Sequence, residues 1–203
     1  MHPIARSLVA LSTVSLAVAC AQVLDIQEAT LDTTGTGGAP PSPNAPVTCG
    51  EYCDTVMKNC AGNFEQYTSK EMCMAVCAHL PRGARADDSV NTVGCRLRNA
   101  QLAAKLGQAE KDSQCSTAGP GGNGVCGTNC EGYCSIMLPT CAGKFDGGQQ
   151  GCLTLCTRRP DSGSYNDAMS SGPDVQCLLY HVSAATLAPD PHCAHAIGAT
   201  PCK

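Results

Sequence analysis

Two stretches of the chain place cysteine and apolar side chains at the spacing of one helix face, with polar residues between them. The first stretch has the i, i+4, i+8, i+11 spacing of a helix with 3.6 residues per turn, and it consists of Cys49, Cys53, Met57 and Cys60. Thr48 and Glu51 match a capping box and predict where this helix begins. The second stretch repeats the stripe with Cys130, Cys134, Met137, Leu138 and Cys141. Pro139 is expected to end or kink that helix early, because proline interrupts the backbone hydrogen bonds.

Each stripe is followed by two further stretches with helical features. Cysteines one helical turn apart occur as Cys73 with Cys77 and as Cys152 with Cys156. Pro81 and Pro160, each four residues after its last cysteine, predict the ends of these short helices. A third helix is predicted over residues 89–106, before Gly107, with a counterpart over residues 173–187. The predicted fold is therefore all-α, and each half is a helical hairpin followed by a third helix.

The same pattern of cysteine spacings occurs twice along the chain. The short gaps agree in both halves, and the long gaps differ by four residues at most. Tyr52 matches Tyr133 in the same register, and Phe64 matches Phe145. The first set is Cys49, Cys53, Cys60, Cys73, Cys77, Cys95, Cys115 and Cys126, and the second is Cys130, Cys134, Cys141, Cys152, Cys156, Cys177, Cys193 and Cys202. This pattern predicts two tandem cysteine-rich repeats, at residues 48–126 and 127–203.

Composition indicates that disulfides hold these repeats together. The chain has 17 cysteines in 203 residues, no Trp, five Tyr and two Phe, which is typical of small disulfide scaffolds with thin cores. Antiparallel helices that each carry cysteines one turn apart can be bridged twice, so the hairpin bridges are predicted as Cys49–Cys77, Cys53–Cys73, Cys130–Cys156 and Cys134–Cys152. This hairpin resembles the helical-hairpin fold of plant defence peptides. The spacing leaves the other pairs open, with Cys60–Cys95 and Cys115–Cys126 as a first hypothesis.

The first 47 residues have the features of an export leader and a tether. Residues 1–19 combine a short basic start with an apolar run that ends in small side chains, which is typical of a signal peptide. The segment Ala17-Val-Ala-Cys20 resembles the bacterial lipobox, with Ala17 where that motif prefers leucine. This resemblance implies a lipidated Cys20, and a plain signal peptide cut after Ala19 is the alternative. Residues 20–47 are rich in Gly and Pro and predict a flexible tether.

Little in the sequence indicates catalysis or a bound cofactor. The net charge of −4, without any block of Lys or Arg, argues against a nucleic-acid partner. No C-x-x-C motif, nucleophile elbow or phosphate loop occurs. The histidines after the leader are His79, His181, His192 and His195. The segment from His192 to His195, close to Asp190, has donor residues for a metal site, but the first half has no equivalent histidines, and surface histidines near a disulfide are the favoured interpretation. The prediction is a protein without catalytic residues, cofactor or metal.

At full length the chain resembles a group of cysteine-rich bacterial lipoproteins in its leader, tether and repeated cysteine framework. That group has no assigned activity, so the resemblance implies location and construction only. The leading hypothesis is a structural or binding module held to the membrane through Cys20, with an unknown protein or glycan partner. Ala21 replaces the aspartate that retains some lipoproteins on the inner membrane, which predicts the outer membrane. The alternatives are a copper(I) or soft-metal thiolate store, which resembles bacterial copper-storage bundles, and a protease inhibitor, which the hairpin resemblance suggests.

Overall fold

The computed structural model describes residues 41–145 and 147–203. Eight α-helices and a short 3₁₀ helix at Gly62–Phe64 make up the regular structure of these residues, without any strand. The first half contains α1 (Cys49–Asn59), α2 (Lys70–His79), α3 (Val93–Ala103) and α4 (Gln108–Ala118). The second half contains α5 (Asn129–Thr140), α6 (Gly148–Cys156), α7 (Val175–Ala185) and α8 (Pro189–Ala196). The fold is small, all-α and disulfide-rich, whereas the predicted signal peptide, Cys20 and most of the tether lie outside the described residues.

The helix starts follow from side-chain caps. The Thr48 hydroxyl accepts a hydrogen bond from the backbone N–H of Glu51 at the start of α1. The Glu51 carboxylate binds Arg85 through both its oxygens, because a two-point bond between charged groups is stronger than a return bond to the backbone. The reciprocal capping box occurs instead at α5, where Thr128 and Glu131 satisfy each other's backbone N–H groups.

Several predicted helix bounds differ from the structure. The two third helices are shorter than predicted by two to four residues at each end, since α3 ends at Ala103 and α7 spans Val175–Ala185. The helix α5 continues through Pro139 and ends at Thr140, so the expected early end is wrong. Pro139 lies in the last turn, where its missing N–H removes a single hydrogen bond. The helix α3 begins at Val93, where the Thr92 side chain caps the N–H of Cys95, four residues later than predicted.

Each half contains a fourth helix that the sequence pattern did not predict. The helix α4 buries only its last turn, from Cys115 to Ala118, and its other residues are polar except for Ala109. The helix α8 buries only Cys193 and Ala196. Both helices therefore lack the apolar periodicity on which a sequence-based prediction depends.

The helices of both predicted repeats pack within one compact unit, Pro40–Lys203. In each half the first helix contacts the second and the third, and α2 also contacts α5 and α7 of the other half. Backbone segments join the halves as well, since the N–H of Tyr165 donates to the Ser116 hydroxyl at 2.7 Å and the Gln66 amide donates to the Tyr165 carbonyl at 2.9 Å. No helix among the described residues is long and apolar enough to span a bilayer.

Candidate functional site

The two helical hairpins are each cross-linked twice, in the antiparallel pairing that the cysteine spacing predicts. In the first hairpin Cys49 pairs with Cys77 and Cys53 with Cys73, at Cα–Cα distances of 5.7 and 5.8 Å. In the second hairpin the bridges are Cys130–Cys156 and Cys134–Cys152, at 5.6 and 5.8 Å. All these distances lie in the ordinary range for disulfides.

The pairing proposed for the other cysteines of the first half is wrong. The structure joins Cys60 to Cys115 and Cys95 to Cys126, in place of Cys60–Cys95 and Cys115–Cys126. The reason is the unpredicted helix α4, which places Cys115 beside Cys60 at the end of α1. Cys95 therefore pairs with Cys126, in the loop that leads into the second half. The second half has the corresponding bridges Cys141–Cys193 and Cys177–Cys202.

All sixteen cysteines of the described residues are thus consumed in bridges within the chain. A sulfur in a disulfide is not a thiolate, and the thiolate is the form that binds soft metals. This oxidised framework therefore opposes the thiolate-store hypothesis.

A buried polar network lies where the first half closes on itself. The Tyr52 hydroxyl donates to the Ala118 carbonyl at 2.6 Å and shares a hydrogen bond with the Tyr67 hydroxyl at 2.7 Å. Burial raises the pKa of Tyr52 to about 12 and raises that of Tyr67 well above its ordinary value. Arg96, fully buried, donates to the carbonyls of Gly119 and Pro120 at 2.9 and 3.1 Å, and burial lowers the pKa of its guanidinium. These groups are fully engaged in holding the junction between the halves.

An open groove of about 650 Å³ lies on the second hairpin. Its lining is mostly apolar and includes Phe145, Gln150, Thr154, Leu155, Arg158 and Arg159. Arg159 is anchored by a hydrogen bond from its guanidinium to the Cys202 carbonyl at 3.3 Å, whereas Arg158 is exposed. An apolar concave surface edged by an exposed cation is suited to binding a partner.

Three histidines that are separate in the sequence meet between α7 and α8. His181 is 5% exposed, and its Nδ1 lies 2.8 Å from Nδ1 of His192. The ring centroid of His195 lies 4.6 Å from that of His181 and 6.0 Å from that of His192. Burial, reinforced by the neighbouring imidazoles, lowers the pKa values of His181 and His192 below the ordinary value. We call these three residues the histidine cluster.

The histidine cluster has one anchored and one unpartnered nitrogen. Nε2 of His181 lies 3.1 Å from the Ser170 carbonyl, which can only accept, so this nitrogen is the donor and Nδ1 carries the lone pair. Nδ1 of His195 is buried and has no hydrogen-bond partner among the described residues. The lowered pKa values of His181 and His192 favour their neutral imidazole forms. Neutral imidazole is the form that binds metal ions.

Sequence reasoning considered His192 and His195 but did not include His181. Helix α7 supplies His181 four residues after Cys177, and helix α8 supplies the other two on either side of Cys193. The cysteine register contains a usable signal: the corresponding positions of the first half are Asn99, Gln114 and Thr117. Three histidines that occupy three register positions in one half only would have identified the cluster. His79, the other histidine after the leader, lies at the end of α2, outside the cluster.

Comparison with known proteins gives one family match. The model of the BfoA family C-terminal domain matches residues 44–129, a segment that covers the first hairpin, α3, α4 and the loop into the second half. Neither the curated proteins nor the solved structures contain a significant match to this chain.

Proposed function

We propose that the chain is a lipid-anchored, non-catalytic binding module of the bacterial cell envelope, tethered through Cys20. The observation that supports this most directly is the closure of sixteen cysteines into eight bridges. Of the 17 cysteines, sixteen lie in the described residues and are paired there, and the seventeenth is Cys20, which lies outside them. A free thiol in an oxidising compartment is reactive, and acylation would cap it. A lipid anchor that carries more than one acyl chain would also give stable membrane attachment.

The rigid, disulfide-linked framework of the described residues is better suited to binding a partner than to catalysis. Eight disulfides hold short helices in place, so a surface loop or groove on this frame loses little conformational entropy when a partner binds. The groove beside Arg158 is the surface that we propose for partner contact. The tether at residues 20–47 would hold this surface away from the bilayer.

The anchor is tested by substituting Cys20 in a bacterial host that processes lipoproteins. We expect the wild-type chain to incorporate labelled palmitate and to fractionate with the outer membrane. Cys20→Ser is expected to lose the label and the membrane association. The matched variant Ala21→Asp should keep the label and move the protein to the inner membrane. Equal labelling of wild type and Cys20→Ser would contradict the anchor.

Partner binding is tested by photo-crosslinking from the groove. A crosslinking amino acid replaces Gln150, which lines the groove two residues before Cys152. The control is the same amino acid at Glu71, an exposed position two residues before Cys73 in the first half. We expect a discrete crosslinked product from position 150 only. No product, or equal products from both positions, would exclude the groove as the contact surface.

A further inference from the structure

We propose that His181, His192 and His195 together bind one divalent transition-metal ion of the kind that imidazole ligands suit, such as Zn²⁺. Metal binding is a further property beyond partner binding in the cell envelope, and it does not depend on whether Cys20 is lipidated.

The geometry needs only small side-chain movements to accept the ion. One nitrogen from each of the three rings can be chosen so that all lie within 4.8 Å of one another. Tetrahedral Zn²⁺ with bonds of about 2.0–2.1 Å places its nitrogen ligands roughly 3.3 Å apart. The His181 and His192 nitrogens, at 2.8 Å, must separate slightly, and the third must approach. The proposal requires that the half-buried His192 and His195 rings on α8 rotate to make both adjustments.

One hydrogen bond of the histidine cluster, from His181 to the Ser170 carbonyl, already has the arrangement found around metal ligands. Imidazoles that bind metals commonly donate their other ring N–H to a carbonyl or carboxylate, which orients the ring and selects the tautomer. His181 does this through Nε2 and the Ser170 carbonyl, at 3.1 Å. Its Nδ1 lone pair is thereby directed at His192 instead of at solvent.

A buried imidazole nitrogen is a second observation that supports a bound ion. Nδ1 of His195 is buried without a hydrogen-bond partner among the described residues. Leaving a buried polar group unpaired is energetically unfavourable. A metal ion that is coordinated by Nδ1 of His195 would satisfy this nitrogen.

The first half of the chain argues against a purely structural role for the histidines. It has the same order of helices and the same bridges, and it carries Asn99, Gln114 and Thr117 at the corresponding positions. The framework therefore folds without imidazoles there. Amide and hydroxyl side chains can fill these positions, so the change to histidine at all three points to a property that those side chains lack.

The donor set determines the class of ion. Three imidazole ligands suit Zn²⁺, Cu²⁺ or Ni²⁺ and not Ca²⁺ or Mg²⁺, which prefer oxygen ligands. Cys177 and Cys202 lie close to His181, but they are joined in a disulfide and do not supply thiolates. Three protein ligands on Zn²⁺ leave a fourth position for water or for a donor atom of a bound partner.

The test is isothermal titration of ZnCl₂ into the full chain, purified in the oxidised form without a histidine tag. A thiol assay before titration verifies that the sixteen paired cysteines stay oxidised. We expect one ion per chain with micromolar or tighter affinity. His181→Asn, His192→Gln and His195→Thr install the side chains of the first half. Each of these three substitutions should raise the Kd for Zn²⁺ by on the order of 100-fold. This is the upper end of the loss in metal affinity that follows mutation of residues hydrogen-bonded to metal ligands.

The matched control is His79→Gln, which removes a histidine outside the cluster and should leave the Kd unchanged. Co²⁺ supplies a second readout, because a tetrahedral nitrogen site gives intense visible absorption bands that His192→Gln should abolish. His192 is half-buried, so this variant is expected to keep the wild-type circular dichroism even if His181→Asn misfolds. Absence of Zn²⁺ binding, or binding that survives His192→Gln unchanged, overturns the proposal.

Discussion

The hydroxyl of Tyr52, on the first helix of the first half, donates a hydrogen bond to the carbonyl oxygen of Ala118, at the end of the fourth helix, with an oxygen–oxygen distance of 2.6 Å. In the second half the Tyr133 hydroxyl donates to the Ala196 carbonyl at 2.8 Å. The bridges Cys60–Cys115 and Cys141–Cys193 join the same helices. Each half is therefore closed between its first and last helix by a disulfide and a tyrosine hydrogen bond.

Removing either tyrosine hydroxyl is expected to destabilise the fold. In Tyr52→Phe and Tyr133→Phe a buried carbonyl loses its donor, and the free energy of unfolding should fall by about 1–3 kcal/mol. The loss should be larger for Tyr52→Phe, because Tyr67 also loses its partner. Chemical denaturation of the oxidised protein measures the change. Tyr180→Phe is the control, since no hydrogen bond of its hydroxyl occurs within the described residues, and a loss as large as that of Tyr52→Phe would refute this assignment.

Alkaline pH should destabilise the protein through its buried tyrosines. Burial raises the pKa of Tyr52 to about 12 and also raises the pKa values of Tyr67, Tyr133 and Tyr165. An unfolded tyrosine titrates near pH 10. Between these values the folded chain holds more protons than the unfolded chain, so the free energy of unfolding falls as pH rises. The stabilisation is complete below about pH 10 and is lost as pH passes through the folded pKa values.

Tyrosinate absorbance measures the same effect directly. In the folded, oxidised protein most of the absorbance change should appear well above pH 10, whereas the reduced chain in denaturant should titrate near pH 10. Brief exposure to each pH keeps the disulfides intact. A native titration curve that coincides with that of the unfolded chain would contradict the burial of these hydroxyls.

Two helix glycines should respond in opposite directions to substitution by alanine. A Cβ on Gly94, in α3, would lie 1.8 Å from the Ala84 carbonyl oxygen, and relieving this overlap should cost about 1–3 kcal/mol. A Cβ on Gly50, in α1, meets nothing within 4 Å. Gly50→Ala should therefore raise the free energy of unfolding by roughly 0.5–1 kcal/mol, because alanine is the better helix former. Thermal unfolding of both variants is the measurement, and equal shifts would contradict the close contact of α3 with Ala84.

Disulfide mapping tests the connectivity outside the hairpins. Digestion without reduction, followed by mass spectrometry, is expected to yield one product that links the peptides of Cys60 and Cys115 and another that links those of Cys141 and Cys193. The Cα–Cα distances of these pairs, 5.5 and 5.6 Å, allow bridges without backbone movement. A product that links Cys60 to Cys95 would show that α4 does not pack against the end of α1.

Much of the local structure was predictable because its causes lie within a few residues. The Thr48 cap and the cysteines one turn apart follow from helix geometry over 10 or so residues. The paired bridges Cys53–Cys73 and Cys134–Cys152 follow from antiparallel packing of two such helices. Pro139 shows the limit of a local rule, because a proline in the last turn removes too little to end the helix early.

The sequence by itself determined that the described residues are helical, that their cysteines form two corresponding sets of eight, and that hairpins are stapled in antiparallel pairs. Only the tertiary structure decided that Cys60 meets Cys115 and that His181 meets His192 and His195. The physical reason is range. Helical periodicity and capping depend on neighbours along the chain, whereas these contacts depend on the packing of α4 and α8. The sequences of these two helices contain no apolar periodicity from which their packing could be predicted.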